Sequence, residues 1–168
     1  MGALLHDIGK IGIADSILQK PGRLNEEENR LIKEHPSIGR KILEGVQDLQ
    51  PYLGVVELHH ENWDGTGYPH GLRREEAPLA ARIVKIADAY DAMTSDRPYR
   101  PGMSDAEAIR RLEAASGTEF DFAIVKAFVA SGARATHQPD ESRSLRNLGA
   151  AIGIEAPEPE VQPEDAPR

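Results

Sequence analysis

Apolar residues along this chain recur three and four positions apart rather than in alternation, so the pattern predicts helices and no strand. Ala3, Leu4 and Leu5 are good helix formers with no capping residue before them, and Met1 to Asp7 therefore reads as the end of a helix. Ile11 to Ile17 is apolar but irregular, interrupted by Gly12, and Lys20-Pro21-Gly22 marks a turn. Asn25 followed three residues later by Glu28 has the form of a capping box, and it opens a helix with Leu31 and Ile32 on its apolar side. His35-Pro36 interrupts that helix. A second one runs from about Pro36 to Glu44, since proline suits a first helical turn. Pro51 opens the next, with Leu53, Val55, Val56 and Leu58 as its apolar content, and it ends at His59-His60.

Glu61 to Gly71 breaks the pattern. These eleven residues hold three glycines and a proline, and the loop is longer than a typical connection. Trp63 and Tyr68 within it argue against full exposure. Pro78 starts the strongest helical pattern, Leu79 to Thr94, with an apolar stripe of Leu79, Ile83, Ile86, Ala87 and Tyr90. Ser104 and Glu107 form a further capping-box pattern ahead of Ile109 and Leu112, two core candidates. Gly117 to Asp121 turns the chain into a last apolar helix carrying Phe122, Ile124, Val125, Phe128 and Val129. Ser142 to Ile152 has the makings of a short extra helix, whereas proline alternates with acid beyond Glu155, a composition that predicts disorder. The expectation is an all-α domain over residues 1–135, an extension over 136–154 and a disordered tail over 155–168.

Composition narrows the chemistry. The chain has 168 residues, enough for one domain with a real core, and no cysteine, which excludes disulfides, thiolate metal sites and thiol nucleophiles. Any metal must be held by histidine and carboxylate. The net charge of −8 disfavours a nucleic-acid polymer as partner. The segment from Glu155 onward carries about half of that charge, so a small anion remains acceptable where basic groups converge. No apolar run approaches the roughly 20 residues of a membrane span, and Met1 to Lys10 lacks the features of a signal peptide, so a cytoplasmic protein is expected.

Several residues could carry chemistry. In the adjacent pair His6-Asp7 the imidazole can reach one ion while the carboxylate bridges two; a helix end closed by Gly9 is the alternative. His35 stands at a helix junction, where it could face a cleft or serve as a cap. His59-His60 ends an apolar run beside the glycine-rich loop. Asp88 lies near an apolar stripe, where an acid is costly unless paired or bound to metal. Arg97 and Arg100, beside Tyr99, could clamp a phosphate and stack a base, or could be ordinary surface charge.

Taken in order, these pieces resemble the HD-GYP domain, a subgroup of the HD metal-dependent phosphohydrolases. The resemblance runs from His6-Asp7-Ile8-Gly9-Lys10 through Lys20-Pro21-Gly22, His35-Pro36, His59-His60-Glu61 and Gly67-Tyr68-Pro69. It continues through Ala87-Asp88-Ala89-Tyr90-Asp91-Ala92 and Arg97-Pro98-Tyr99-Arg100 to Phe120-Asp121. It implies a bundle of about six to seven helices holding roughly two or three divalent metal ions, commonly iron or manganese. It also implies a phosphodiesterase of bacterial signalling that acts on cyclic dinucleotides, chiefly cyclic di-GMP. By position, His6, Asp7, His35, His59, His60 and Asp88 would be metal ligands, with Asp7 bridging. Lys10 would contact the phosphate and act with Asp7 in catalysis. Tyr68, Arg97 and Arg100 would meet the substrate. The chemistry implied is attack by a hydroxide bridging two ions, whose charge also offsets that developing at phosphorus.

Two departures stand out. Family members have helices before the His-Asp pair, one of them supplying a further ligand, and five residues precede His6 here; weak metal binding and low activity are expected of the chain by itself. Arg74 stands where the family usually has glycine. The expected partners are a cyclic dinucleotide, a sensor or receiver region and a second copy in a homodimer. The alternatives are an HD phosphohydrolase for another nucleotide, or a catalytically weak binding module.

Overall fold

A computed structural model describes residues 1–96 and 101–132. The described residues are all-α, with eight α-helical segments, three 3-10 helices and isolated bridges in place of strands. Six of the segments are helices of six or more residues: α3 (Glu26–Ile32), α4 (His35–Leu43), α5 (Leu53–Leu58), α6 (Leu79–Thr94), α7 (Asp105–Ala114) and α8 (Phe122–Ala130). The other two, α1 (Gly2–Leu5) and α2 (Asp15–Leu18), are single turns. Arg97, Arg100, the Ser142–Ile152 segment and the acidic tail lie outside the described residues.

Local chemistry sets most boundaries. The capping box at α3 is fully formed: Asn25 Oδ1 accepts from the Glu28 amide at 2.8 Å, and Glu28 accepts from the Asn25 amide at 2.8 Å. At α7 only half of the predicted box forms. Ser104 accepts from the Glu107 amide, but the Glu107 carboxylate pairs with Arg110 and Arg111. Gly9 is not a helix-terminating residue. It lies inside a 3-10 helix, Ile8–Gly12, and the preceding α-turn ends at Leu5. Pro51 falls within the 3-10 helix Gln47–Tyr52, so the α-helix starts at Leu53, two residues later than the sequence suggests.

Two apolar clusters make the core. Leu43, Leu53 and Val56 join α4 to α5, with Leu5 and Ile8 packed against them. Ile86, Tyr90, Ala108, Leu112, Phe120 and Val125 join α6, α7 and α8. Val56, Ala108 and Leu112 are fully buried, and a side chain of leucine or valine size contributes about 1.5–3 kcal/mol at such a position. Ile109 is only partly buried; Ala108 and Leu112 take the centre. The stripe on α6 divides. Ile86 and Tyr90 are buried, while Leu79, Ile83 and Ala87, a row at spacing four, face outward. Their apolar character therefore does not mark core, and Phe122 is likewise exposed.

Candidate metal centre

The first half of the centre comes from the start of the chain. His6 follows α1 directly, and its Nδ1 donates to the Ala3 carbonyl at 2.6 Å. His35 opens α4 and donates from Nδ1 to the Ile32 carbonyl at 2.7 Å. His59 closes α5 and donates from Nδ1 to the Val56 carbonyl at 2.9 Å. A carbonyl can only accept, so each bond places the proton on Nδ1 and leaves Nε2 with its lone pair. All three imidazoles use the carbonyl three residues back, a geometry that each helix end provides. Buried histidines oriented in this way are the usual second-sphere arrangement of metal ligands.

Those lone pairs converge. His35 Nε2 lies 3.4 Å from His59 Nε2 and 3.3 Å from Asp7 Oδ1. Ligand atoms of Asp7, His35, His59 and His60 all lie within 4.8 Å of one another. His6 Nε2 is buried without a hydrogen-bond partner, 3.4 Å from Asp7 Oδ2 and 3.7 Å from Asp88 Oδ1. Acceptors facing acceptors at these distances repel unless a cation lies between them. The donor set of nitrogens and carboxylate oxygens, with no sulfur, suits a divalent first-row metal. The residues thus fit a metal group. They form two adjoining sets, His35-His59-His60 and His6-Asp88, with Asp7 reaching both.

Electrostatics agrees with neutral imidazoles at His59 and His60 and with ionised carboxylates at Asp7 and Asp88. Burial, reinforced by the neighbouring histidines, pushes His59 down to about 4 and His60 down to about 3. Burial pushes the Asp7 carboxyl up, but the His35 ring and the Lys10 ammonium beside it outweigh that and hold Asp7 well below the carboxylate range. The Asp88 carboxylate raises His6, and His6 in turn lowers Asp88.

Two glycines permit the approach. A Cβ on Gly9 would stand 1.9 Å from the His35 carbonyl oxygen, so only glycine lets the Ile8–Gly12 segment pass against the start of α4. A Cβ on Gly67 would stand 2.2 Å from the Asn62 amide nitrogen. That close fold-back brings the Tyr68 ring onto His60, stacked at 4.7 Å with an interplanar angle of 18°. Burial raises the Tyr68 phenol to about 12.

The structure brings together His6, Asp7, His35, His59, His60 and Asp88, with Tyr68 at their edge. Lys10 donates to Asp7 Oδ2 at 2.5 Å and is part-exposed. The structure also shows two cations that sequence reasoning passed over. Lys33 holds its ammonium 5.3 Å from the centre of the Tyr68 ring. Lys85 is largely buried one turn before Asp88 on α6; burial lowers its pKa, and its charge helps depress His60. Spacing to Asp88 was the available signal for Lys85. Nothing local pointed to Lys33, which meets Tyr68 only through the fold.

An HD domain family model matches residues 1–124. The chain is 45% identical over 135 residues to a cyclic di-GMP phosphodiesterase of Vibrio cholerae, covering 76% of this chain and 27% of that protein. It is 46% identical over 129 residues to a cyclic di-GMP phosphodiesterase of Thermotoga maritima, covering 76% and 35%. The chain therefore spans about a quarter to a third of the curated relatives it matches. Among solved structures it resembles Bd1817, a HDG"Y"P protein from Bdellovibrio bacteriovorus, with a TM-score of 0.59 and 27% identity over 74% of this chain and 40% of that one.

Proposed function

This chain belongs to the HD domain family, and from that premise we propose that residues 1–135 form a metal-dependent phosphodiesterase unit that hydrolyses cyclic di-GMP to pGpG or GMP. The observation that carries the reading is the gathering of the His6, His35 and His59 Nε2 lone pairs around Asp7, acceptors facing acceptors that ask for a cation between them. Relatives 45% and 46% identical over 135 and 129 residues are cyclic di-GMP phosphodiesterases, and they support the substrate.

His35, His59 and His60 would hold one ion, His6 and Asp88 a second, and Asp7 would serve both. Iron or manganese is the expected metal. When bound, such ions supply Lewis acidity that makes water nucleophilic near neutral pH and offsets charge on the phosphoryl oxygens. The chain's own residues do the rest. The Nδ1 bonds keep each imidazole in one tautomer and aim it inward. Lys10, now on Asp7, is within reach of an anionic phosphate beside that carboxylate and would share its charge between them. Tyr68, stacked on His60, would form the wall against which a guanine or ribose packs. Arg97 and Arg100 are proposed as phosphate or guanine contacts from their sequence motif alone. A sensor or receiver region and a homodimeric partner are proposed from the family resemblance. Among the described residues no helix is long and apolar enough to cross a membrane; a cytoplasmic site of action is part of the same proposal.

The test is direct. The purified chain is loaded with Fe(II) or Mn(II), its metal content is measured, and it is incubated with cyclic di-GMP. Chromatography should show pGpG or GMP appearing, and EDTA should abolish it. Loaded protein that leaves cyclic di-GMP intact but hydrolyses another nucleotide would replace this substrate with that one. Stoichiometric metal with no turnover of any nucleotide would point to a binding module.

A further inference from the structure

Glu61 follows the histidine pair directly, yet its carboxylate takes no part in the ligand cluster. Its side chain is 3% exposed. Oε1 accepts from the His70 amide at 2.7 Å, and Oε2 accepts from the Leu72 amide at 3.0 Å. A buried carboxylate costs several kcal/mol unless it is strongly hydrogen-bonded, and charge-assisted bonds to two backbone amides are what keep it there. Both oxygens are thereby committed to the chain downstream.

The two bonds close the loop on itself, nine and eleven residues along. Between the anchors and Glu61 lies Tyr68, whose amide donates to the His60 carbonyl at 3.3 Å. A second acid assists. Glu57, one helical turn earlier on α5, accepts from the His70 ring Nε2 at 3.1 Å and from Arg40 at 2.6 Å. His70 is thus held through its backbone by Glu61 and through its ring by Glu57. A free loop of this length would sample many conformations, and each residue left unordered retains about 1–2 kcal/mol of backbone entropy.

We propose that Glu61 is a positioning residue for the substrate pocket. By tying the His70 and Leu72 amides to the end of α5, it fixes the Tyr68 ring on His60 in the orientation that receives the cyclic dinucleotide. The substrate half of this statement rests on the function proposed above; the closure of the loop does not.

Glu61→Gln tests it in the metal-loaded chain. The amide keeps the shape but turns a donor toward one of the two backbone amides. The Michaelis constant for cyclic di-GMP should rise about tenfold, equivalent to about 1.4 kcal/mol, with kcat within about twofold and metal content unchanged. Without substrate, trypsin should cut after Arg73, just beyond the Leu72 anchor, about fivefold faster, as measured by mass spectrometry. In a Tyr68→Ala background the Glu61→Gln effect on KM should shrink to within about twofold, because it acts through that ring. Glu61→Asp keeps the charge but shortens the reach to the His70 and Leu72 amides and should move KM and cleavage in the same direction by less; it decides the matter if Glu61→Gln does not fold.

Unchanged KM and cleavage would overturn the proposal. So would full additivity with Tyr68→Ala, or a fall in kcat that tracks lost metal. If the wild-type chain does not turn over cyclic di-GMP, the functional reading fails separately, and the cleavage rates alone decide whether Glu61 holds the loop.

Discussion

At the scale of single residues, the centre depends on contacts that leave no room for a methyl group. Gly9 is the sharpest case. It is buried, and a Cβ there would overlap the His35 carbonyl at 1.9 Å. Gly9→Ala must push the Ile8–Gly12 segment off α4 and so draw Asp7 away from His35. We expect about 1–3 kcal/mol of destabilisation, the usual range for overpacking, together with reduced metal content. A thermal melt and metal analysis of the variant check both parts; unchanged metal would show that Asp7 can follow by another route. The backbone glycines could be seen in the sequence, but their task could not. A Gly inside His-Asp-Ile-Gly-Lys reads equally well as a helix cap, and only the proximity of residue 35 shows that close approach is the reason.

At the scale of elements, α6 and the glycine-rich loop are fastened to the end of the domain by a buried pair. Arg82 on α6 donates to Asp121, which is 3% exposed for its side chain and also caps α8 through the Ala123 amide at 2.9 Å. The Arg82 guanidinium lies 5.6 Å from the centre of the Trp63 ring, and Trp63 meets Phe122 edge to face. The Trp63 and Asp64 amides donate to the Glu119 and Thr118 carbonyls at 3.1 and 2.9 Å. Removing one partner of a buried ion pair leaves the other charge uncompensated. Asp121→Ala should therefore cost about 3–5 kcal/mol, far more than an exposed pair such as Arg30–Glu27 would. Denaturant unfolding of the variant measures it, and a loss below about 1 kcal/mol would mean that Arg82 finds another partner.

At the scale of the molecule, the histidines make stability depend on pH in the absence of metal. His59 is held at about 4 by burial, against 6.5 for an unperturbed imidazole. Between these values the unfolded chain binds a proton that the folded chain refuses. Stability contributed by the neutral ring is present above about 6.5 and is lost as pH falls toward 4. His60, lower still at about 3, acts in the same sense. His6, raised by Asp88, opposes them in part. The expected outcome is a melting temperature in EDTA that falls as pH drops from 6.5 to 4, with a shallower slope in His59→Gln. A flat profile would mean that the ring is accessible to protons in the folded state.

The sequence by itself determined the helical class, the order of the helices and the identity of the residues that meet at the centre. Those follow from local causes: spacing of apolar side chains, proline and capping positions, and a run of motifs that pointed to the HD family later matched over residues 1–124. Only the tertiary structure decided what those residues do to one another. It split the Leu79–Tyr90 stripe into a buried and an exposed row, since periodicity gives a face but not its neighbour. It gave Glu61 its two amides, set Lys33 by Tyr68, and turned three Nε2 lone pairs toward one carboxylate. The physical reason is range. Helix formation is settled within a few residues, whereas a shared tautomer, a closed loop and a cluster of facing acceptors exist only once helices distant in sequence have packed. The His59-His60 pair shows both sides: the chain's order put it at the end of α5, and the fold made it part of a centre.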